Sequence, residues 1–453
     1  MTKFTQNLLL LAATLIAPRA FGAGFDTPVL YSARHMGMGG TAIGYVDDPS
    51  AAFHNPAGLS GVAKGAVLLN FSPILAKIHG SPSGHVMTDA SGANIRPGQS
   101  IWSEQALSPA FLAGAGYRVH DKVSVGFAVY PVASAGGEYR YQANKGKEFV
   151  EIRDYTKLVF IDFAPSVSVE PIKGLRLGAA YRYATAQFDR IRSNPDTDTG
   201  TPSNVNLAMK GSNAKGFRLG AQYVTDKYSV GLVYRHKTET AVTAATGILE
   251  NQQGKDITYG FVLPTKFGFG AQYKGIENLR LAVDVEYTLQ SQNDTTQMAG
   301  TAVVGGVPLY AVSIPNIAKW SDNVTARVGA AYKIGDIEAR LGYINDGQAS
   351  QLKYVSPFGT PPTATHTATA GAGYKISDKL DINVAAAYRT GKATVTEADI
   401  KDNGCPFCGK SGEYEISLLG FYLDACYRFG SRPAPAPKAT DDNAPKATDD
   451  KPF

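Results

Sequence analysis

Strict two-residue alternation of apolar and polar side chains is the feature that most constrains this chain of 453 residues. In segment 278–290, Leu, Val and Tyr alternate with Arg, Asp, Glu and Thr, and segments 228–235 and 380–389 repeat the pattern. A period of two places successive side chains on opposite faces, so each segment is predicted to be a β-strand with one apolar and one polar face. Segment 64–429 contains about fourteen such strands, an even number as bacterial transmembrane barrels require.

The connections between these strands alternate between short turns and long polar loops. Segments 120–122 and 225–227 are short turns, whereas 192–206 and 292–317 are predicted to be long polar loops. Short turns at one end and long loops at the other are typical of outer-membrane barrels, which also carry tyrosines at both membrane interfaces. The fold class predicted here is therefore all-β, a transmembrane antiparallel β-barrel of about 14 strands. A soluble β-sandwich or propeller is the alternative, since alternation does not show which face points inward. The candidate interface tyrosines are Tyr117, Tyr223, Tyr273, Tyr332 and Tyr374 near the short turns, and Tyr181, Tyr234, Tyr287, Tyr343 and Tyr388 farther along.

Composition excludes several other classes of protein. A mean hydropathy of −0.14, with no apolar run of about 18 residues, excludes a helical membrane bundle. A net charge of +5 without a Lys/Arg cluster does not provide the basic surface of a nucleic-acid-binding protein.

Cys405 and Cys408 form a C-x-x-C pair in the last predicted outer loop. We predict a disulfide there, with redox chemistry or a metal as alternatives, because no second cysteine pair or nearby histidine completes a metal site. No metal or cofactor is expected.

The two ends of the chain differ from its middle. Residues 1–22 are predicted to be a secretory signal peptide, with Lys3 before an apolar run and small residues before the cleavage point. Residues 431–453 are rich in Pro, Ala and Asp and contain one seven-residue repeat, so a disordered tail is predicted. The barrel is assigned to 63–430. Its aromatic end at Phe429 resembles the signal read by the barrel-assembly machinery, an expected partner during biogenesis.

Segment 23–62 does not alternate and is rich in Gly, Ala, Asp and Pro. Its motifs at 32–40, 47–51 and 55–59 resemble the N-terminal hatch of the outer-membrane long-chain fatty-acid transporter family (the FadL/TodX type). The resemblance implies a fourteen-stranded barrel whose lumen is plugged by this segment. It also implies uptake of long-chain fatty acids, or of aromatic hydrocarbons in some branches, through an apolar lumen pocket. The hatch positions singled out are Phe25, Gly39, Gly40, Asn55, Pro56, Ala57 and Gly58.

The same resemblance implies a sideways exit where the third strand is kinked. Pro131, Gly136 and Gly137 occupy that strand; proline removes a ladder donor and glycine weakens a strand, so a kink is predicted there. The alternative is that these residues only begin an outer loop. Four arginines on predicted lumen faces are candidates for holding a ligand carboxylate, unless they pair with lumen acids instead: Arg176, Arg182, Arg280 and Arg340.

These features predict a channel of the Gram-negative outer membrane for passive uptake of hydrophobic small molecules, with long-chain fatty acids as the favoured ligand. Hydrocarbon uptake by the same fold is one alternative, and a surface adhesin or receptor is another. An outer-membrane hydrolase around His236 is a third, but no matching serine is found, so no catalytic residue is assigned. Expected partners are the ligand, outer-membrane lipid and lipopolysaccharide. We expect a monomer.

Overall fold

The computed structural model describes ten stretches of the chain: 31–80, 87–88, 94–95, 100–145, 148–193, 204–249, 252–304, 306–356, 361–405 and 408–430. The predicted signal peptide, Phe25 and the predicted tail lie outside the described residues. Within these stretches, every helix is too short or too polar to cross a bilayer.

Strands account for most of the described chain, and its helices are short. The two α-helices are α1 (Ala33–Met36) and α2 (Glu397–Ile400), and 3-10 helices span Pro49–Ala52, Pro56–Gly61, Gln290–Gln292 and Leu352–Tyr354. The strands in chain order are β1 (Gly65–Gly80), β2 (Met87–Thr88), β3 (Asn94–Ile95), β4 (Ile101–Trp102), β5 (Ala106–His120), β6 (Val123–Lys145), β7 (Glu148–Ile172), β8 (Leu175–Ser193), β9 (Val205–Val224), β10 (Tyr228–Arg235), β11 (Thr238–Leu249), β12 (Gln252–Leu263), β13 (Lys266–Ile276), β14 (Leu279–Thr288), β15 (Thr295–Val304), β16 (Val307–Ile317), β17 (Asn323–Ile334), β18 (Ile337–Asp346), β19 (Thr365–Lys375), β20 (Leu380–Val395) and β21 (Gly412–Phe429).

Fourteen of the described strands close a ring, which confirms the predicted barrel. The order around the ring is β1, β5 to β10, β13, β14, β17 to β21 and back to β1, and each neighbouring pair is antiparallel. The first and last strands pair from Gly65 opposite Phe429 to His79 opposite Glu415. Closure satisfies backbone hydrogen bonds between strands, as a wall in contact with hydrocarbon requires.

Apolar side chains point away from the lumen. On β14, Leu281, Val283 and Val285 are 42%, 40% and 38% exposed, whereas Asp284 between them is 1% exposed. This arrangement is the reverse of a soluble sandwich or propeller and fits a barrel surrounded by lipid. Nine of the ten predicted interface tyrosines are exposed on the outer surface. The tenth, Tyr234, is half-buried and packs against Phe217.

Four further strands form a structure above the ring that the sequence analysis missed. Strand β11 pairs with the distal part of β9, β12 pairs with β11 and β15, and β15 pairs with β16. We call β11, β12, β15 and β16 the outer arch. The prediction of a polar loop over 292–317 is therefore wrong, since that stretch contains the β15–β16 hairpin. Its inward side chains Met298 and Ile314 pack against the apolar core.

Residues 31–62, called here the inner segment, lie inside the ring. The carboxylate of Asp284 on β14 accepts hydrogen bonds from the backbone amides of Ala42 and Ile43, at 2.8 and 2.9 Å. The carboxylate of Asp424 on β21 accepts a hydrogen bond from the hydroxyl of Ser32, at 2.8 Å. One chain segment therefore bonds to well-separated strands of the same wall, which requires a position within the lumen.

Candidate functional site: a lumen cavity with a side window

A cavity of about 800 Å³ lies between the inner segment and the outer arch. Its volume is within the range of small-molecule sites. Tyr31 of the inner segment is at its floor, Leu158 and Phe188 line its side, and Tyr259 and Phe261 of the arch close it from above. These apolar and aromatic walls favour a hydrophobic occupant.

The aromatic part of the wall is packed as one cluster. The ring centroid of Phe188 lies 5.4 Å from that of Tyr259 and 5.2 Å from that of Phe261. Phe160 lies 6.0 Å from Phe261 at an interplanar angle of 82°. Such edge-to-face packing stabilises an aromatic cluster beyond the effect of burial alone. The arch is therefore tied to the barrel wall through the cavity lining itself.

Beneath the cavity, aromatic residues separate it from the rest of the lumen. The ring of Phe53 lies 5.2 Å from that of Tyr31 and 5.0 Å from that of Tyr130, in both cases nearly edge to face. The buried guanidinium of Arg218 lies 5.2 Å from the centroid of the Phe53 ring. Phe53, which belongs to the inner segment, therefore contacts both Tyr31 of the cavity floor and the buried Arg218.

The inner segment is held in shape by charges and by its own caps. A guanidinium nitrogen of Arg34 lies 2.6 Å from the carboxylate of Asp47, and Nε2 of His35 lies 3.6 Å from that of Asp48. Asp48 also accepts a hydrogen bond from the amide of Ser50 at 2.9 Å, which caps the 3-10 helix that follows. Burial alone would raise the pKa of Asp48, but His35 and Arg34 hold it well below its usual range. This carboxylate therefore stays charged at neutral pH.

The predicted hatch positions take well-defined roles within the inner segment. Gly39 and Gly40 have φ of 67° and 72°, the left-handed region that glycine adopts readily. The side chain of Asn55 caps the 3-10 helix that begins at Pro56. Ala57 follows at the base of that helix, and its carbonyl accepts a hydrogen bond from Ser168 of the wall. Gly58 packs closely against Val46.

On one side of the cavity the barrel wall is interrupted. Strands β5 and β6 pair from His120 opposite Val123 up to Ala113 opposite Val129, and no further described residues of β5 pair with β6. Higher up, the amide of Glu104 donates a hydrogen bond to the carbonyl of Glu138, at 2.7 Å. We call the opening between these two closures the side window. Cavity-lining residues occur on both of its edges, so the cavity reaches it.

The irregularity of the third barrel strand lies close to the predicted residues. The register of β6 against β7 shifts between Pro131 and Ala133, so the extra residue is Val132, which the sequence analysis did not single out. Gly136 has a φ of 136°, and a Cβ at this position would lie 2.0 Å from the carbonyl oxygen of Thr156. Gly137 is a neighbour without a positive φ. Pro131 alone, lacking an amide donor, signals the position of the shift in the sequence.

The four arginines predicted as carboxylate sites all face the lumen, but each has an acidic neighbour. Arg182 pairs with Asp162 at 2.5 Å, and both side chains are fully buried. Arg280 and Arg340 share Glu338, and Arg176 lies 4.0 Å from Glu170. None of the four lines the cavity. These four arginines therefore lie beside lumen acids, as the alternative prediction expected.

Arg218 differs from those four arginines. It is 5% exposed, and its hydrogen bond to the carbonyl of Ala52 is long, at 3.4 Å. Within the described residues it forms no ion pair. The sequence does not distinguish Arg218 from the other lumen arginines. The alternation pattern predicts which face of a strand a residue occupies, but it does not predict which side chains that residue contacts.

Two of the three cysteines form a disulfide at the top of the cavity. Cys405 and Cys408 are joined and buried, and both line the cavity. Cys426 is a buried free thiol on β21.

Comparisons with known proteins agree with this geometry. A family model described as outer membrane protein transport protein (OMPP1/FadL/TodX) matches residues 13–429. The chain belongs to this family. Its members are outer-membrane transporters of hydrophobic compounds, and this chain shares their fold. It is therefore an outer-membrane β-barrel.

Two solved structures share the fold of this family member. A Pseudomonas aeruginosa FadL homologue superposes with a TM-score of 0.68 at 16% identity, covering 90% of this chain and 100% of that one. The Pseudomonas putida toluene transporter TodX superposes with a TM-score of 0.65 at 18% identity, covering 91% and 100%. A putative outer membrane protein of Neisseria meningitidis serogroup B is 22% identical over 446 residues, covering 87% of this chain and 94% of that protein.

Proposed function

We propose that this FadL/TodX-family protein is a passive channel for long-chain fatty acids. The ligand enters the cavity from the outer side and leaves through the side window into the outer leaflet. The observation that carries the proposal is the continuity of an apolar cavity of about 800 Å³ with an interruption of the β5–β6 ladder. No catalytic role is assigned to any residue.

The energetics favour such a route for an acyl chain. Each methylene kept out of water contributes about 0.8 kcal/mol. A chain that moves from the cavity directly into lipid stays out of water throughout. A water-filled pore would offer the chain no such path. On the β5 side the window is bordered by Leu107, which is 63% exposed, and by the half-buried Phe111, so its outer side faces hydrocarbon.

Arg218 is our candidate for binding the carboxylate of the acid. Its buried guanidinium lies against the ring of Phe53, next to the cavity floor, and forms no ion pair with an acidic group of the described residues. A shift of Phe53 would bring it into contact with the ligand. A charge-assisted bidentate contact with guanidinium suits a carboxylate. In this proposal the inner segment acts as the hatch, and ligand binding and hatch movement are coupled at Phe53.

Uptake of aromatic hydrocarbons is the second candidate. The observation favouring it is the aromatic cluster of the cavity wall, together with the acid-paired state of Arg176, Arg182, Arg280 and Arg340. A neutral ring needs no cation. The solved toluene transporter shows that the fold occurs in such a channel.

Binding measurements on Arg218 variants separate the two candidates. We expect purified wild-type protein to bind oleate, and Arg218→Met to weaken that binding about tenfold, the effect of losing one charge-assisted hydrogen bond. Arg218→Lys should retain part of the affinity, and toluene binding should be unchanged in both variants. Toluene binding without oleate binding in the wild-type protein would reject the fatty-acid proposal and favour the second candidate.

A further inference from the structure

We infer that Lys157, on the strand next to the β6 edge of the side window, binds the carboxylate of the fatty acid while its tail passes into the outer leaflet. The inference rests on the proposed function and deepens it. It assigns a release site for anionic amphiphiles at the end of the route, separate from Arg218 at the cavity floor.

The position of Lys157 is set by the pairing of β7. It lies opposite Gly136 of β6, four pairs beyond the register shift, and it lines the cavity. The inward neighbour Leu158 is 2% exposed, whereas Lys157 itself is exposed. Its side chain therefore belongs to the outer face of the wall, beside the window.

Lys157 also lies at the upper border of the apolar band. Below it on the same face of β7, alternate residues from Val169 to Val159 are apolar, including Val167 and Phe163, which are 43% and 36% exposed. Ten residues at about 3.3 Å each and a tilt near 40° span about 25 Å, the height of the hydrocarbon-facing band. The ammonium group is therefore at the level of the lipid headgroups.

The acidic groups near Lys157 are engaged by other residues. Glu138 accepts hydrogen bonds from Arg153 at 2.9 Å and from Arg140 at 2.7 Å. Asp189, opposite Lys157 on β8, accepts a hydrogen bond from Gln187 at 2.7 Å. Within the described chain Lys157 forms no ion pair.

This placement fits the chemistry of an amphiphile that leaves sideways. The tail of a fatty acid can enter hydrocarbon directly, but its carboxylate cannot be buried there without a large desolvation cost. A cation at headgroup level gives the carboxylate a partner while the tail moves outward. An uncharged ligand has no use for this contact, so the lysine should distinguish anionic from neutral ligands.

The test compares one ligand pair in variants that differ only at the window. Uptake of oleate and of the neutral analogue oleyl alcohol is measured in Gram-negative cells that lack their own fatty-acid channel and produce the full-length protein. Lys157→Gln should slow oleate uptake about two- to fivefold, the range that one exposed ion pair supplies, and leave oleyl alcohol uptake unchanged. Lys157→Arg should retain the wild-type rate. Lys210→Gln is the matched control, because Lys210 is an exposed lysine on the outer face of β9 and lies outside the cavity.

The outcomes separate this inference from the proposed function. Failure of the wild-type protein to take up oleate would reject the proposed function itself. Wild-type oleate uptake that is unchanged in Lys157→Gln, or an equal loss for oleate and oleyl alcohol, would overturn the role of Lys157 alone. Asp189→Asn tests whether Lys157 acts only by pairing with Asp189. If Asp189→Asn caused the same oleate-specific loss as Lys157→Gln, the role of Lys157 in binding the ligand would be overturned. That role would also be overturned if Lys157→Gln lost lipid A binding but kept normal oleate uptake, a result that would identify Lys157 as a contact for lipid phosphate.

Discussion

At the scale of single residues, the inner segment is held by a few polar side chains whose partners are backbone atoms. The amide nitrogen of the Asn55 side chain donates to the carbonyls of Ile43, Ala221 and Leu232, at 2.9, 3.2 and 3.3 Å. Asn55 therefore joins two parts of the inner segment to strands β9 and β10. Such side-chain bonds to buried backbone are costly to leave unmade.

Asn55→Ala should loosen the inner segment without unfolding the barrel. Leaving the three carbonyls without this donor is expected to weaken the binding of the inner segment to the wall by about 1–3 kcal/mol. Single-channel conductance in planar bilayers should rise or fluctuate more than in the wild-type protein. Asn323→Ala is a control, because the buried side chain of Asn323 donates to Gly347 and Asp346, both outside the inner segment. Equal conductance in the wild type and Asn55→Ala would contradict this role.

His54 gives the inner segment a dependence on pH. Burial, and then the neighbouring His35, lower the pKa of His54 to about 3, against about 6.5 when exposed to water. A depressed pKa means that the packed state holds its full stability above pH 6.5 and loses it as the pH falls toward 3. The loss is about 1.4 kcal/mol for each pH unit below 6.5.

Acidification from pH 7 to 4.5 should therefore increase conductance through wild-type channels. His54→Gln, whose amide can still donate to the carbonyl of Tyr31 that His54 contacts at 2.9 Å, should respond less. An identical acid response in both proteins would show that another group controls the inner segment.

At the scale of elements, regular strands follow from the sequence and departures from regularity do not. The two-residue alternation predicts the face of each barrel strand, and all four candidate arginines face the lumen as predicted. The outer arch was missed because the sequence of its hairpin β15–β16 (295–317) is interrupted by three glycines and two prolines, which indicate turns and loops. Its strands are defined by pairing with β12 and not by their own pattern. Ion pairs between neighbouring strands, such as that of Arg182 on β8 with Asp162 on β7, also cannot be derived from the alternation pattern.

The bulge in β6 provides a direct test of the side window. Val132 is the extra residue, since Pro131 pairs with Ile161 and Ala133 with Phe160. Deleting Val132 restores continuous pairing while every other side chain keeps its face. The straightened strand should extend its pairing toward β5, narrow the window and slow uptake several-fold, as measured with labelled oleate.

Val132→Ala is the matched control, because it keeps the extra residue and should keep near-normal uptake. Heat-modifiable migration in electrophoresis would establish that both variants form the barrel. Normal uptake by a folded deletion variant would place the exit elsewhere.

At the scale of the whole molecule, the barrel places apolar side chains against lipid and polar ones inside, and the lumen is filled in layers. The inner segment occupies the lower layer, and the cavity and arch lie above it. A fourteen-strand ring is wider than its own side chains can fill, so the inner segment has the effect of excluding water. Close approach of backbones makes this fit tight: a Cβ on Gly342 of β18 would lie 2.0 Å from the amide nitrogen of Gly39.

Removal of residues 23–62 should convert the plugged barrel into an open pore. Conductance should rise to a steady, ion-permeable level, and small polar solutes should enter liposomes that contain the variant. Oleate-specific uptake should be lost at the same time, because the cavity floor is gone. Unchanged conductance in a folded variant would contradict the plug.

Photocrosslinking with a diazirine-bearing oleate analogue tests the central claim most directly, because it records where the ligand lies in the wild-type protein. The account predicts adducts on the cavity wall near Phe188 and Phe261 and on both edges of the side window, near Leu107 and Val132. Adducts confined to the lumen below the inner segment, or to the outer surface away from β5 and β6, would contradict it.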